Sequence, residues 1–178
     1  MRGSDMHVRE QVLYTEKDIK KRVSELARQI SEDYAGKEIT GVGVLKGSFI
    51  FMADLVREIT VPLTCSFVQV YTREGEEGSL VSKNILYIYK FDITGKDVLL
   101  ISEIIDTGVT LSYLVNHLKE MKPNSLKLCI LMDKPERRKV NIKADYVGFT
   151  IPNHYVFGYG LDNKERARDL PYISFYKE

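Results

Sequence analysis

Apolar residues along this chain fall either in short unbroken runs or at spacings of three and four, and the two patterns alternate. Val8 to Tyr14, with Val8, Val12, Leu13 and Tyr14, is expected to form an early strand. Thr15-Glu16-Lys17-Asp18 then opens a helix, because a threonine hydroxyl caps free backbone N–H groups and acids suit the positive helix end. Ile19, Val23, Leu26, Ala27 and Ile30 follow on one helix face, and Gly36 closes the segment. Ile39 to Leu45 reads as a buried strand and Lys46-Gly47-Ser48 as a tight break. A second helix starts near Ser48 and carries Phe51, Met52, Leu55 and Val56. Pro62 precedes a strand from Leu63 to Tyr71.

Thr72 to Asn84 shows no apolar periodicity and reads as a long loop; loops of that length in compact domains often serve as active-site lids. Ile85 to Phe91 is expected to return as a strand, and Asp92 to Lys96 to turn. Val98-Leu99-Leu100-Ile101 is the most strand-like run. A polar loop over Ser102 to Gly108, a helix over Thr110 to Met121, and strands at Leu126–Met132 and Val147–Ile151 complete the pattern. Strand, loop, helix, strand in repetition predicts an α/β fold, a parallel β-sheet core flanked by helices on both faces.

At 178 residues the chain is long enough for one sizeable core, assigned to residues 8–178. Residues 1–7, opening with Met1-Arg2-Gly3-Ser4, read as a vector-like leader outside the fold. A net charge of +1 lacks the basic excess of a general nucleic-acid binder. No apolar run approaches the roughly 20 residues of a membrane helix, and no signal-peptide core is present. Cys65 and Cys129 lie far apart in apolar runs and are expected to be reduced core thiols, which favours the cytoplasm. His7, His117 and His154 lack metal-ligand spacing and are expected to be surface or structural residues.

The chemistry concentrates in Val98-Leu99-Leu100-Ile101-Ser102-Glu103-Ile104-Ile105-Asp106-Thr107-Gly108-Val109-Thr110. Parallel sheets collect ligands beyond the carboxyl ends of their strands. Gly108 removes a side chain from the approach of an anion, Thr107 and Thr110 offer hydroxyl donors, and the helix start supplies free amides at its positive end. Glu103 and Asp106 are placed to face a sugar or a metal. No Gly-Lys-Ser/Thr phosphate loop, dinucleotide fingerprint or zinc motif is present.

Four apolar residues, an acid, two more apolar residues and Asp-Thr-Gly-x-Thr resemble the phosphoribosyl-diphosphate signature of the type I phosphoribosyltransferases. The resemblance extends over nearly the whole chain and points to the hypoxanthine-guanine type. It implies a small hood formed by the N- and C-terminal segments. It also implies that Ser102, Glu103, Asp106, Thr107, Gly108, Val109 and Thr110 bind the phosphoribosyl group and its 5-phosphate. Val44-Leu45-Lys46-Gly47-Ser48 resembles the diphosphate loop, with Lys46 and Gly47 as contacts and a Leu45–Lys46 peptide that is often cis in the family. Leu131 to Arg138 resembles the purine-reading segment. Lys134 there would donate to a 6-oxo group, while Arg137 and Arg138 are expected to be solvated surface. Tyr155 to Asp162 resembles the segment covering the base: Tyr155 would stack on the ring, Val156 would read its edge through backbone groups, and Asp162 would contact it and the metal. Arg168 matches a diphosphate-binding cation.

The implied reaction joins phosphoribosyl diphosphate to N9 of hypoxanthine or guanine, with Mg²⁺ held by Glu103 and Asp162 and Asp106 taking a purine proton. A homodimer or homotetramer is the implied assembly. Two positions depart from the family pattern. Ser102-Glu103 stands where two acids are usual, and Val70-Tyr71-Thr72 lacks the usual serine before its tyrosine. The missing acid keeps a nucleotide-binding regulator on the same fold as the alternative.

Overall fold

The computed structural model describes residues 9–73, 82–87 and 91–177. In chain order the elements are β1 (Arg9–Tyr14), α1 (Glu16–Asp33), β2 (Ile39–Leu45), α2 (Phe49–Glu58), β3 (Leu63–Arg73), β4 (Ser82–Tyr87), β5 (Asp97–Ile105), α3 (Val109–Glu120), β6 (Ser125–Asp133), β7 (Tyr146–Thr150), β8 (Val156–Phe157) and β9 (Ile173–Lys177).

Local chemistry explains where α1 begins. Thr15 Oγ1 accepts from the Asp18 amide at 3.2 Å, and the Thr15 amide donates to Asp18 Oδ2 at 3.0 Å, so two free amides are satisfied reciprocally. The periodic face then buries Ile19, Val23, Leu26, Ala27 and Ile30. Each large aliphatic side chain so buried contributes ~1.5–3 kcal/mol against leaving it in water.

A six-stranded sheet runs in the order β4-β3-β2-β5-β6-β7. The pairs β2–β3, β2–β5, β5–β6 and β6–β7 are parallel, and β4 is added antiparallel to β3. Both faces are covered. Leu99, Ile101, Cys129 and Leu131 point to the α1 and α2 side, whereas Val98, Leu100, Leu128 and Ile130 pack with Leu111, Leu114 and Leu118 of α3. A period of two along β5 and β6 thus feeds two separate cores.

A second, three-stranded sheet joins the chain's two ends in the order β1-β9-β8. β9 pairs antiparallel with both neighbours, and this sheet is the hood.

Four expectations change. β5 continues through Ser102 and Glu103 to Ile105, so these residues are strand rather than loop. Pairing with β6 on either side of Glu103, Ser102 with Ile130 and Ile104 with Met132, outweighs the local polarity. The expected loop from Thr72 to Asn84 is strand at both ends, because β3 reaches Arg73 and β4 starts at Ser82; residues 74–81 lie outside the described residues. The returning strand accordingly starts earlier than Ile85 and ends at Tyr87, with residues 88–90 likewise outside. Cys65 is exposed, while Cys129 is buried; both are free. The proposed leader, His7 included, lies outside the described residues. His154 stacks on Phe175 with ring centroids 4.4 Å apart, and His117 lies 6.0 Å from the Tyr87 ring. Among the described residues no helix is long and apolar enough to cross a membrane.

Candidate active site

The strand order decides where a ligand can sit. From β2 the chain crosses to β3 on one side and later returns to β5 on the other. The connections therefore part between β2 and β5, and in open α/β sheets that is where a ligand crevice forms, beyond the carboxyl ends of those two strands. The loop after β2 holds Lys46 and Gly47; the loop after β5 holds Asp106, Thr107 and Gly108.

Gly108 adopts φ +80°, a left-handed conformation that L side chains disfavour, and directly precedes α3. A Cβ there would lie 2.6 Å from Ile142 Cγ2 and 3.1 Å from Arg138 Cδ. Unlike α1, α3 has no acid in its first turn and no side-chain cap, so its positive end meets no carboxylate from its own sequence. Such an end is suited to an anion. The Val109 amide is 3.4 Å from Thr107 Oγ1.

The segment after β6 clasps this loop. The Lys134 amide donates to Ile105 O at 3.0 Å, and the Lys139 amide to Thr107 O at 2.9 Å. Arg137 Nε donates to Asp106 Oδ1 at 2.8 Å, and Arg138 donates to Asp106 O at 2.7 Å and pairs with Asp133. Arg137 and Arg138 were expected to be solvated surface. Arg138 instead is largely enclosed, and Arg137, though exposed, is tied to Asp106. Lys134 is 7% exposed, and burial lowers its ammonium pKa while the Asp106 carboxylate acts against that. A nearly enclosed cation beside the crevice is a strong hydrogen-bond donor with few competitors.

On the other side the Leu45–Lys46 peptide is cis. Gly47 is buried against the Glu103 carboxyl, which would collide with any Cβ at that position. Burial pushes the Glu103 carboxyl pKa up and Asp162 adds to this, whereas Ser102 and Arg168 draw it down. The Ser102 hydroxyl donates to Glu103 Oε2 at 3.0 Å. Serine at 102 thus gives Glu103 a hydrogen-bond donor, where a carboxylate would repel it.

The hood contributes the remaining groups. Arg168 donates to Gly160 O at 2.8 Å and pairs with Asp162 Oδ1 at 2.9 Å. Lys46 Nζ meets Glu165 Oε2 at 3.1 Å. Tyr155 is 60% exposed and its hydroxyl donates to Asp162 O at 3.1 Å, while Val156 is buried and paired with Phe175 of β9. The structure thus forms two clusters around the crevice. Lys46, Gly47, Glu103, Asp162 and Arg168 make one; Asp106, Thr107, Gly108 and Lys134 make the other. Arg137, Arg138 and Glu165 are the charged participants that sequence reasoning missed. Charge alone does not single them out among 51 Lys, Arg, Asp and Glu residues; Asp106 lies 31 and 32 positions from the two arginines, and Lys46 lies 119 from Glu165.

A mostly parallel sheet with a glycine turn and an uncapped helix start at its topological switch, flanked by cations and carboxylates, is an α/β arrangement suited to a phosphorylated sugar or nucleotide. The phosphoribosyl transferase domain model matches residues 11–164. Hypoxanthine-guanine phosphoribosyltransferase of Dictyostelium discoideum is 45% identical over 172 residues, covering 94% of this chain and 96% of that protein. Hypoxanthine phosphoribosyltransferase of Salmonella typhimurium is 44% identical over 165 residues, 92% and 93% of the two chains. A crystal structure of the Bacillus anthracis hypoxanthine-guanine enzyme superposes with a TM-score of 0.85 at 41% identity, covering 97% of this chain and all of that one. The chain belongs to the phosphoribosyltransferase family and, within it, to the hypoxanthine-guanine branch.

Proposed function

We propose that the protein transfers the 5-phosphoribosyl group from phosphoribosyl diphosphate to N9 of hypoxanthine or guanine, releasing diphosphate in purine salvage. The observation that carries this reading is the pairing of the Gly108 anion cradle with the enclosed Lys134 at the end of the adjacent strand. A phosphate held at the first and a 6-oxo group at the second span the crevice from sugar to base.

Asp106, Thr107, Gly108, Val109 and Thr110 hold the 5-phosphate end, with Ser102 and Glu103 toward the ribose. Lys46, Gly47 and Arg168 bind the diphosphate. Lys134 donates to the 6-oxo group; an ammonium has donors only, which disfavours a 6-amino base. Tyr155 stacks on the ring, and Val156 and Asp162 border it. As N9 bonds to the ribose C1, the bond from C1 to the diphosphate oxygen breaks, and Asp106 accepts the proton that the purine ring loses, at N7. Arg137 must yield the Asp106 carboxylate, at least in part, for that transfer.

The donor set fits Mg²⁺. Among the described residues no three His, Cys, Asp or Glu form a ready cage, and Mg²⁺ typically takes one or two carboxylates together with substrate oxygens. Glu103 and Asp162 would hold it, and it would neutralise charge on the leaving diphosphate. A spectrophotometric assay with each purine, phosphoribosyl diphosphate and Mg²⁺ tests the proposal. Nucleotide should form from hypoxanthine or guanine and not from adenine; no nucleotide from any base would refute it.

A further inference from the structure

We infer that Glu165 is an internal anion that pairs with the diphosphate-binding cations, so that its charge sets how tightly diphosphate groups bind. The inference rests on the assignment of Lys46 and Arg168 to diphosphate given above.

One carboxylate oxygen, Glu165 Oε2, lies 3.1 Å from Lys46 Nζ and 3.5 Å from Arg168 Nη2. A single oxygen between an ammonium and a guanidinium reproduces the way those two groups would hold a phosphoryl oxygen. The backbone aims the side chain there. Glu165 has φ +64°, its amide donates to Asp162 Oδ2 at 3.0 Å, and Asn163 and Arg166 exchange backbone hydrogen bonds of 2.9 and 3.1 Å around it. A glutamate carboxyl is an anion at neutral pH.

The side chain is nevertheless 70% exposed, so it is held by charge and not by packing. Exposed ion pairs are weak, which makes this one displaceable. A diphosphate carries several negative charges and can engage both cations together with the nearby backbone. A singly charged ligand gains little over the carboxylate it must evict. Glu165 therefore lowers affinity for every anion at this position while leaving polyanions favoured, and it gives the departing diphosphate a competitor that speeds its exit.

The test is calorimetric titration of inorganic diphosphate with Mg²⁺ into the wild-type chain and Glu165→Gln, without purine and at low salt. The amide keeps the shape and removes the charge. The Gln variant should bind diphosphate about two- to fivefold more tightly, and the difference should shrink as salt rises. The KM for phosphoribosyl diphosphate should fall in parallel, with the purine KM unchanged. Equal or weaker diphosphate binding by the variant at low salt overturns the inference while leaving the proposed activity standing. A wild-type chain that binds no diphosphate and makes no nucleotide overturns both.

Discussion

Replacing Gly108 with alanine separates two demands that one residue meets at the cradle. The first is conformational: at φ +80° an alanine pays the left-handed penalty of ~1–2 kcal/mol. The second is space. The new methyl would sit 2.6 Å from Ile142 Cγ2, 3.1 Å from Arg138 Cδ and 3.2 Å from Val140 Cγ2. At least one neighbour must move, and crowding of this kind costs a further ~1–3 kcal/mol. The sum is a loss of ~2–5 kcal/mol, or a fall in Tm of about 5–15 °C for a chain of this size. Gly36 supplies the control. It has φ +76° with nothing within 4 Å of an added Cβ, so Gly36→Ala carries the conformational part alone. The chain has no tryptophan, so urea unfolding is followed by far-ultraviolet circular dichroism or tyrosine emission. Gly108→Ala should be the less stable variant by ~1–3 kcal/mol. Equal midpoints for the two variants would show that the 138–142 segment does not press on the cradle, and the account of how that segment positions Gly108 would be wrong.

Asp106→Asn removes the proposed proton acceptor and should lower kcat by at least about tenfold, read in the nucleotide-forming assay; a smaller loss rules out the proton role. Lys134→Gln replaces a charged donor by an amide that both donates and accepts. The kcat/KM for hypoxanthine should fall about 10- to 100-fold, as a lost charge-assisted hydrogen bond implies, and discrimination against adenine should narrow; undiminished discrimination would remove Lys134 from base reading. Away from the crevice, Asp33 accepts from Tyr146 Oη at 2.6 Å and from Lys127 Nζ at 3.1 Å, and these bonds hold its carboxyl below the usual range. A folded-state pKa depressed in this way stabilises the protein above the unfolded value of about 3.9 and loses that stabilisation as pH falls through the folded value. Asp33→Asn should therefore be less stable by ~0.5–1 kcal/mol at neutral pH, with the gap in urea midpoint closing in acid; a gap that persists below both values contradicts the linkage.

Much of the molecule is legible from neighbours in the chain. Thr15 through Ile30 specify α1 by a cap and a spacing, and Val98 to Ile101 specify a buried strand by an unbroken apolar run. The Asp106-Thr107-Gly108 turn carries its chemistry in adjacent residues, which is why the cradle is visible before any fold is built. Glu103 shows where this fails. Its local polarity reads as loop, yet the pairing of its neighbours Ser102 and Ile104 with β6 makes it strand, and its carboxyl packs against Gly47. Arg137 on Asp106, and Glu165 on Lys46, join residues whose relation no local spacing encodes. Backbone preference and periodicity act over a few residues, so the chain alone determined its helices, most of its strands and the turn at Asp106-Thr107-Gly108. Burial and ion pairing depend on what the fold brings alongside, so only the tertiary structure decided which carboxylates face which cations.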